Sequence, residues 1–599
     1  MSKNTMTTFA VAVAIAAVTL PSTLGAQENQ MEWVSQSAPK MVAAPQRLVE
    51  SSGVEPVFIM HAADEAMVQP ITTWNLAGNL PVRNGIERTL PKVRLVALPR
   101  MEPGSKLEYF GGGVLARSPE DDAVVWGLAL EVDGAYRMRI RLGDVRLPEG
   151  TRIWVYGEND ETVGPFGTEL VSADGTLWTP SVGGPEIRLE ISVPDTAWET
   201  GEDPSFKVVS VSQTFPLDEG GVPNVRGDFK SEDTSCIVDA ACVGTGEFSL
   251  ISSVNKAVAY LEYVDGGSFY ICSGALVNDA DTSTYVPYLL TANHCFSTQS
   301  SASTLEAFFD YRNTTCGGSP PPVASMPRTT GSTLLKTSAT NDFTFVRLNS
   351  FPGGSRALLG WTATDPPYGQ VLYRVSHPNQ LPASYSKHSR VSPMFTCSGV
   401  STTNYHYTQT TAGGTFGGSS GGSLVNASGQ IVGQLRGGCG DDPGNGCDYT
   451  NYDTDGKFSV TFPQISQYLT DDGGGGAACN QNLNGGVVCL RNKRFEFTAT
   501  WTDFSNPAKT QPLIWTPVED INATGGFQNN PSGVQVVMRV ADGCSLTGTW
   551  WIWLGGFTDA GWNITVRDTV TGKQKTFTRT RQSGNFPTTL RDQTTFTCN

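Results

Sequence analysis

The stretch Leu289-Leu290-Thr291-Ala292-Asn293-His294-Cys295 decides how the chain is read. An apolar run of strand type delivers an imidazole to its end, and a cysteine follows at once. Working upstream, Ile271-Cys272-Ser273-Gly274-Ala275-Leu276-Val277 is a second such run, and Cys272 is a natural disulfide partner for Cys295. That bond would pin the loop carrying His294, as a base held within about half an ångström of its working position requires. Downstream, Asn341-Asp342-Phe343-Thr344-Phe345-Val346-Arg347-Leu348 places an acid at the head of a buried strand. An isolated buried carboxylate is costly, and a histidine N–H satisfies it. Asp310 and Asp365 compete for that role, but neither heads so apolar a run. Further on comes Gly417-Gly418-Ser419-Ser420-Gly421-Gly422-Ser423-Leu424, within thirteen residues that hold six glycines. Glycine lets the backbone turn sharply and leaves N–H groups uncovered for a developing oxyanion. The strand-type run Gln430-Ile431-Val432-Gly433-Gln434-Leu435 soon follows, which argues against a plain Gly/Ser linker.

Around this block the chain of 599 residues divides by composition. Residues 1–26 read as a secretory signal peptide: Lys3, a 12-residue apolar core from Phe9 to Leu20, then small residues ending at Ala26. Such a core is shorter than the ~20 residues a membrane span needs. All twelve cysteines lie at or after Cys236, eight between 236 and 447 and four after 478. Even numbers in an exported chain read as disulfides. Residues 27–230 form a cysteine-free β-rich leader with strand-type runs 123–132, 136–145, 152–156 and 186–193. Residues 231–472 form the block just described, with one helix near 462–469. A Gly linker at 473–476 precedes a tail of 477–599, of β-sandwich size. Its aromatic strands, 494–501, 548–553 and 562–567, serve core packing or binding to a polymer or cell surface. The net charge of −16, with no block of like charge, excludes a broad nucleic-acid surface, which needs clustered Lys and Arg. No metal-ligand spacing is present, so no metal and no cofactor are expected. His377, His388 and His406 read as structural or subsite groups.

The order His294, Asp342, Ser420 is that of the chymotrypsin-type triad. With Tyr311-Arg312-Asn313-Thr314-Thr315-Cys316 and Gly433-Gln434-Leu435-Arg436-Gly437-Gly438, the block resembles the secreted bacterial trypsin-like serine proteases of lysyl endopeptidase type. The resemblance implies an all-β architecture: a chymotrypsin-like double β-barrel, preceded by a β-rich propeptide and followed by a β-sandwich. It implies Ser420 as nucleophile, His294 as base, Asp342 as its orienting acid, and the N–H groups of Gly418 and Ser420 as oxyanion hole. It implies the disulfides Cys236–Cys439, Cys242–Cys316 and Cys272–Cys295, which leave Cys397–Cys447.

The same resemblance places a pocket for a basic side chain next to Arg436, Gly437 and Gly438, with Asp453 of Asp453-Thr454-Asp455-Gly456-Lys457 at its base. Asp441, Asp442, Asp448 and Asp455 are rivals. Cleavage after Lys, or after Lys and Arg, is expected. Arg436 stands where strongly lysine-selective members carry His, and no Trp occurs near 397–399. Family members mature a few residues before the first cysteine, so Lys230 is the expected processing site, with Arg226-Gly227 next. Ser419 occupies the place where trypsin-type zymogens carry Asp, which points to removal of a steric block rather than activation by a freed amine. The expected protein is a secreted monomer acting on proteins or peptides, with no nucleic-acid or membrane partner. The alternatives are a catalytically silent binding protein on this scaffold, or a protease with a non-basic preference.

Overall fold

Short alternating runs broken by Gly- and Pro-rich turns can bury their apolar faces only in stacked or closed antiparallel sheets, and the chain folds as an all-β protein. The computed structural model describes residues 28–36, 45–53, 58–76, 81–118, 122–148, 150–157, 161–172, 174–200, 203–217, 235–280, 285–470, 479, 481–491, 494–502, 510–519, 521–527, 530–531, 533–547, 549–569, 573–581 and 588–597. The signal peptide with Ala26, the connection with Arg226, Gly227 and Lys230, the Gly linker 473–476 and Cys598 lie outside the described residues.

The central block holds two sets of antiparallel strands. In the first, Ser332–Ser338, Phe343–Leu348, Tyr288–Ala292, Ser268–Val277, Val258–Asp265, Glu306–Phe309 and Arg328–Thr330 pair in succession. The second is a closed six-stranded barrel. Val371–Ser376 pairs with Ser384–Val391, then Tyr405–Ala412, Tyr452–Lys457, Gln430–Cys439 and Ser423–Val425, which returns to Val371–Ser376. Apolar side chains of both sets, including Leu290, Phe343, Phe345, Val375 and Ile431, meet in one cluster between them. The helix Phe458–Leu469 begins four residues before the expected start, because Phe458 and Ile465 are drawn fully into that cluster.

The leader is itself a sandwich. One sheet carries Ala123–Val132, Glu186–Pro194 and Arg152–Gly157 as neighbours. The other runs from Leu177–Trp178 through Ile140–Arg146 and Ser205–Thr214 to Val82–Ala97. This second sheet does not stop at the leader. Val82–Ala97 pairs antiparallel with Ser268–Val277, matching Val82 to Ile271 and Arg83 to Tyr270. Two more leader segments add strands to the central block: Glu28–Asn29 against Gly360–Thr362, and Glu32–Gln36 against Gly354–Leu358. Buried ion pairs cross the same junction, Arg139 to Glu306 at 2.5 Å and Arg328 to Glu161 at 3.2 Å. The tail packs two five-stranded sheets around Phe497, Trp515, Met538, Ile552 and Ile564. Most of its aromatic residues are therefore core, while Trp551 and Trp553 lie half-buried on the other face of their strand.

Candidate active site

Strand register brings His294 and Asp342 together. Tyr288–Ala292 pairs with Phe343–Leu348 so that Ala292 faces Phe343. One step beyond that pair Asn293 falls opposite Asp342, and His294 follows it next to the same carboxylate. The His294 amide donates to Asp342 Oδ1 at 2.8 Å, and His294 Nδ1 lies 2.7 Å from Oδ2. Both carboxylate oxygens are thus committed to one residue. Asp342 has φ of +57°, a left-handed conformation uncommon outside glycine, where asparagine and aspartate are the best-tolerated side chains. Its backbone is clamped. Its carbonyl accepts from the Asn293 amide at 3.1 Å and from Gln434 Nε2 at 3.2 Å, and Gln434 Nε2 also reaches the Asn341 carbonyl at 2.8 Å. Asn341 Nδ2 donates to Thr461 Oγ1 at 2.7 Å. The rival acids are spent elsewhere: Asp310 on Lys256 and Arg356, Asp365 on Lys457 and Ser459.

Ser420 is buried at a bend held by the first strand set. The Ser273 amide donates to the Ser420 carbonyl at 2.8 Å, and Ser273 Oγ donates to the Gly418 carbonyl at 2.9 Å. Ser273, next to Cys272, thus fixes the backbone on either side of Ser419, a contact with no signal in the sequence pattern. Gly421, with φ of +78°, cannot be replaced here: a Cβ would lie 2.2 Å from Thr291 Oγ1. The amides of Ser419, Gly421 and Gly422 donate to the carbonyls of Phe416, Leu435 and Ser419. Those of Gly418 and Ser420 have no partner among the described residues. The uncommitted amides are thus the serine's own and that of Gly418 two residues before it, while His294 Nε2 is buried without a hydrogen-bond partner among the described residues. Cys272, His294 and Cys295 offer ligand-type atoms within 4.8 Å of one another, but both sulfurs are locked in a disulfide and are not metal ligands.

The disulfides require a correction. Cys242–Cys316 and Cys272–Cys295 are joined, but Cys236 bonds Cys447 and Cys397 bonds Cys439, in place of Cys236–Cys439 and Cys397–Cys447. Cys439 closes its strand in the second barrel, buried with Tyr405, Tyr407 and Val400, and Cys397 packs against that same cluster. Cys447 lies in the loop beyond, beside the Cys236 amide. Cys479–Cys489 closes a short loop in the tail, and Cys544 is disulfide-bonded as well.

Asp453 lies beside the glycine-rich loop that carries Ser420, because Thr415 Oγ1 donates to its carboxylate at 2.9 and 3.0 Å. In register it faces Gly438, and Thr454 faces Gly437. The environment departs from the expected bare carboxylate. Arg374, on Val371–Ser376 and fully buried, donates from Nη1 to Asp453 Oδ2 at 3.1 Å and from Nη2 to Asp455 Oδ1. Burial raises both carboxyl groups, Asp455 to about 6. Of the other rivals, Asp441 and Asp442 are exposed and Asp448 bonds Thr450 within its own loop. Arg436 is half-buried on Gln430–Cys439 beside Tyr405. His377 stacks on Tyr311 and is pushed down to about 4 by burial, and His406 down to about 3 for the same reason.

The leader strand passes next to this loop. Val82 packs with Ile271, Tyr260, Phe308 and Leu217, and its Cγ2 would lie 2.2 Å from a Cβ at Gly417.

Comparison with known proteins agrees with this layout. The profile of the lysyl endopeptidase N-terminal domain matches residues 121–214, and that of the lysyl endopeptidase C-terminal domain matches 231–453. A lysyl endopeptidase of Pseudomonas aeruginosa is 26% identical over 418 residues, covering 64% of this chain and 87% of its own. Among solved structures, an active-form protease from M. tuberculosis shares 11% identity at a TM-score of 0.27, over 40% of this chain and 92% of that one. A serine endoprotease from Yersinia pestis shares 14% at 0.26, over 40% and 70%.

Proposed function

The chain belongs to the lysyl endopeptidase family, and on that premise we propose that it is a secreted serine endopeptidase cutting after Lys, or after Lys and Arg, through a His294–Asp342–Ser420 triad. The observations that carry the proposal are the pairing of His294 Nδ1 with Asp342 Oδ2 and the uncommitted amides of Gly418 and Ser420. Ser420 Oγ attacks the scissile carbonyl and its proton passes to His294 Nε2. The oxyanion is received by the amides of Gly418 and Ser420. Losing one such donor typically costs ~10²–10³ in turnover. His294 then gives its proton to the leaving amine, and an acyl-enzyme remains on Ser420. A water repeats the steps in reverse, with His294 as base, and frees the acid. Asp342 stays ionised throughout, keeps the proton on Nδ1, and stabilises the imidazolium. The bond between Ser420 and Nε2 forms when substrate closes the site, as catalytic hydrogen bonds commonly do.

Asp453 is the pocket carboxylate. An ammonium or guanidinium entering the pocket loses water and needs a charge partner there. Arg436 and the contact of Arg374 with Asp453 are the observations favouring a non-basic preference. Residues 1–26 direct export, in keeping with a disulfide-bonded fold, and among the described residues no helix is long and apolar enough to cross a membrane. Residues 27–230 act as a propeptide, cut at Lys230. The support is the seating of Val82 against Gly417 and Ile271, which puts leader backbone beside the loop that carries Ser420. The chain works as a monomer, and its tail has the accessory role. The test is a peptidyl-lysine diphenyl phosphonate on the processed protein. One label per molecule on Ser420 is expected. Absence of label, or label elsewhere, overturns the proposal.

A further inference from the structure

A guanidinium cannot shed its proton inside a protein. Arg374, with no exposed surface, therefore fixes one full positive charge beneath the pocket. If Asp453 were its only counter-ion, the two would cancel, and an incoming ammonium would find an already satisfied carboxylate. Such a pocket would charge the substrate its desolvation cost and return little.

The strand Tyr452–Lys457 supplies a second acid. Residues two apart on a strand share a face, so Asp453 and Asp455 both reach Arg374, one at each terminal nitrogen. Asp455 also accepts from Thr408 Oγ1 at 3.4 Å and is fully buried, closed off from any substrate. The remaining ionisable neighbour is His388. Its Nε2 lies 2.7 Å from Ser386 Oγ and its Nδ1 3.2 Å from Thr410 Oγ1. Burial and Arg374 hold it neutral. Above the value of about 6 to which burial raises Asp455, with both acids ionised, the cluster carries two negative charges and one positive, a net −1 that only Asp453, beside the loop of Ser420, can present.

We propose that Asp455 is a specificity-determining residue that acts through Arg374: by taking up the guanidinium's charge it leaves Asp453 a full unit of charge for the Lys or Arg side chain of the substrate. This rests on the reading of Asp453 as the pocket carboxylate. Asp455 touches no substrate and is a positioning residue in charge rather than in shape. The cluster also explains why the strand carries two acids where one would bind the substrate.

The experiment uses the full chain, matured and titrated for active sites, with paired ester substrates carrying lysine or the near-isosteric, uncharged norleucine at the cleaved position. Asp455→Asn leaves the cluster neutral. The lysine-to-norleucine ratio of kcat/KM should fall at least about 100-fold, while norleucine turnover persists and reports an intact triad. The double variant Arg374→Gln/Asp455→Asn restores a net −1 and should recover lysine selectivity. A merely structural role predicts that the double variant is no better than the single one. An Asp455→Asn enzyme that keeps the wild-type ratio, or a double variant that recovers nothing, overturns the inference. If Asp455→Asn does not mature, Arg374→Gln decides. One acid there takes up a proton, one charge remains, and lysine selectivity must survive; its loss overturns the inference. Asp453→Asn separates the two levels. If it abolishes lysine selectivity while Asp455→Asn does not, the pocket reading stands and this inference fails. If it leaves selectivity intact, the pocket reading itself fails.

Discussion

Replacing Asp342 with asparagine tests the geometry of the proposed triad without disturbing its backbone. Asparagine is among the few residues that tolerate the φ of +57° found there, so the turn should persist. The two oxygens of Asp342 are not equivalent. Oδ1 accepts from the His294 amide, which can only donate. The single oxygen of an asparagine must therefore take the Oδ1 position, and its NH2 group falls where Oδ2 stood, 2.7 Å from Nδ1. An NH2 group donates, so Nδ1 is forced to accept and the imidazole proton moves to Nε2. The histidine can then no longer take the proton of Ser420. Loss of the correct tautomer costs about 10⁴-fold in kcat, or about 5.4 kcal/mol of barrier. The assay is hydrolysis of a lysine ester by matured protein, with KM measured alongside. KM should change by less than a few fold, because neither oxygen faces the pocket. A variant that matures normally and loses less than about 10-fold in kcat would refute the argument that Asp342 sets the tautomer of His294.

Three other outcomes follow from the same structure. The pair Cys272→Ala and Cys295→Ala opens a loop of sequence separation 23 beside His294, for which chain entropy gives about 3 kcal/mol of lost stability; urea unfolding and kcat should fall together. His377 titrates near 4 when folded and near 6.5 when unfolded, so below pH 6.5 the unfolded chain binds the proton that the folded chain refuses. Stability should therefore fall between pH 6.5 and 4 by about 1.4 kcal/mol per unit for this residue, and His377→Gln should flatten that slope in denaturant titrations. Val82→Asp puts a charge into the cluster of Ile271, Tyr260 and Phe308, so the leader, once cut from the central block, should separate from it on gel filtration where the wild-type leader stays bound.

Much of this could be read locally. The runs around 123–132, 152–156 and 186–193 became strands close to their expected bounds, because alternation and turn residues act over a few positions. His294 and Asp342 were legible because each sits at the end of a strongly apolar strand whose register is fixed by burial. What escaped was long-range. Nothing near residues 28–36 or 82–85 announces that they add strands to sheets hundreds of residues away. The exchange of partners among Cys236, Cys397, Cys439 and Cys447 depended on which cysteine closes the second barrel. Arg374 carries no local signal that sets it apart. Only the closure of that barrel carries it beneath Asp453 and Asp455.

The most direct test of the account is the set of new peptide ends produced when processed protein meets a defined protein mixture, read by mass spectrometry beside Ser420→Ala. The expected ends lie after Lys, or after Lys and Arg, and all are absent with the variant. Ends that persist in Ser420→Ala, or no cleavage by correctly processed protein, would contradict it.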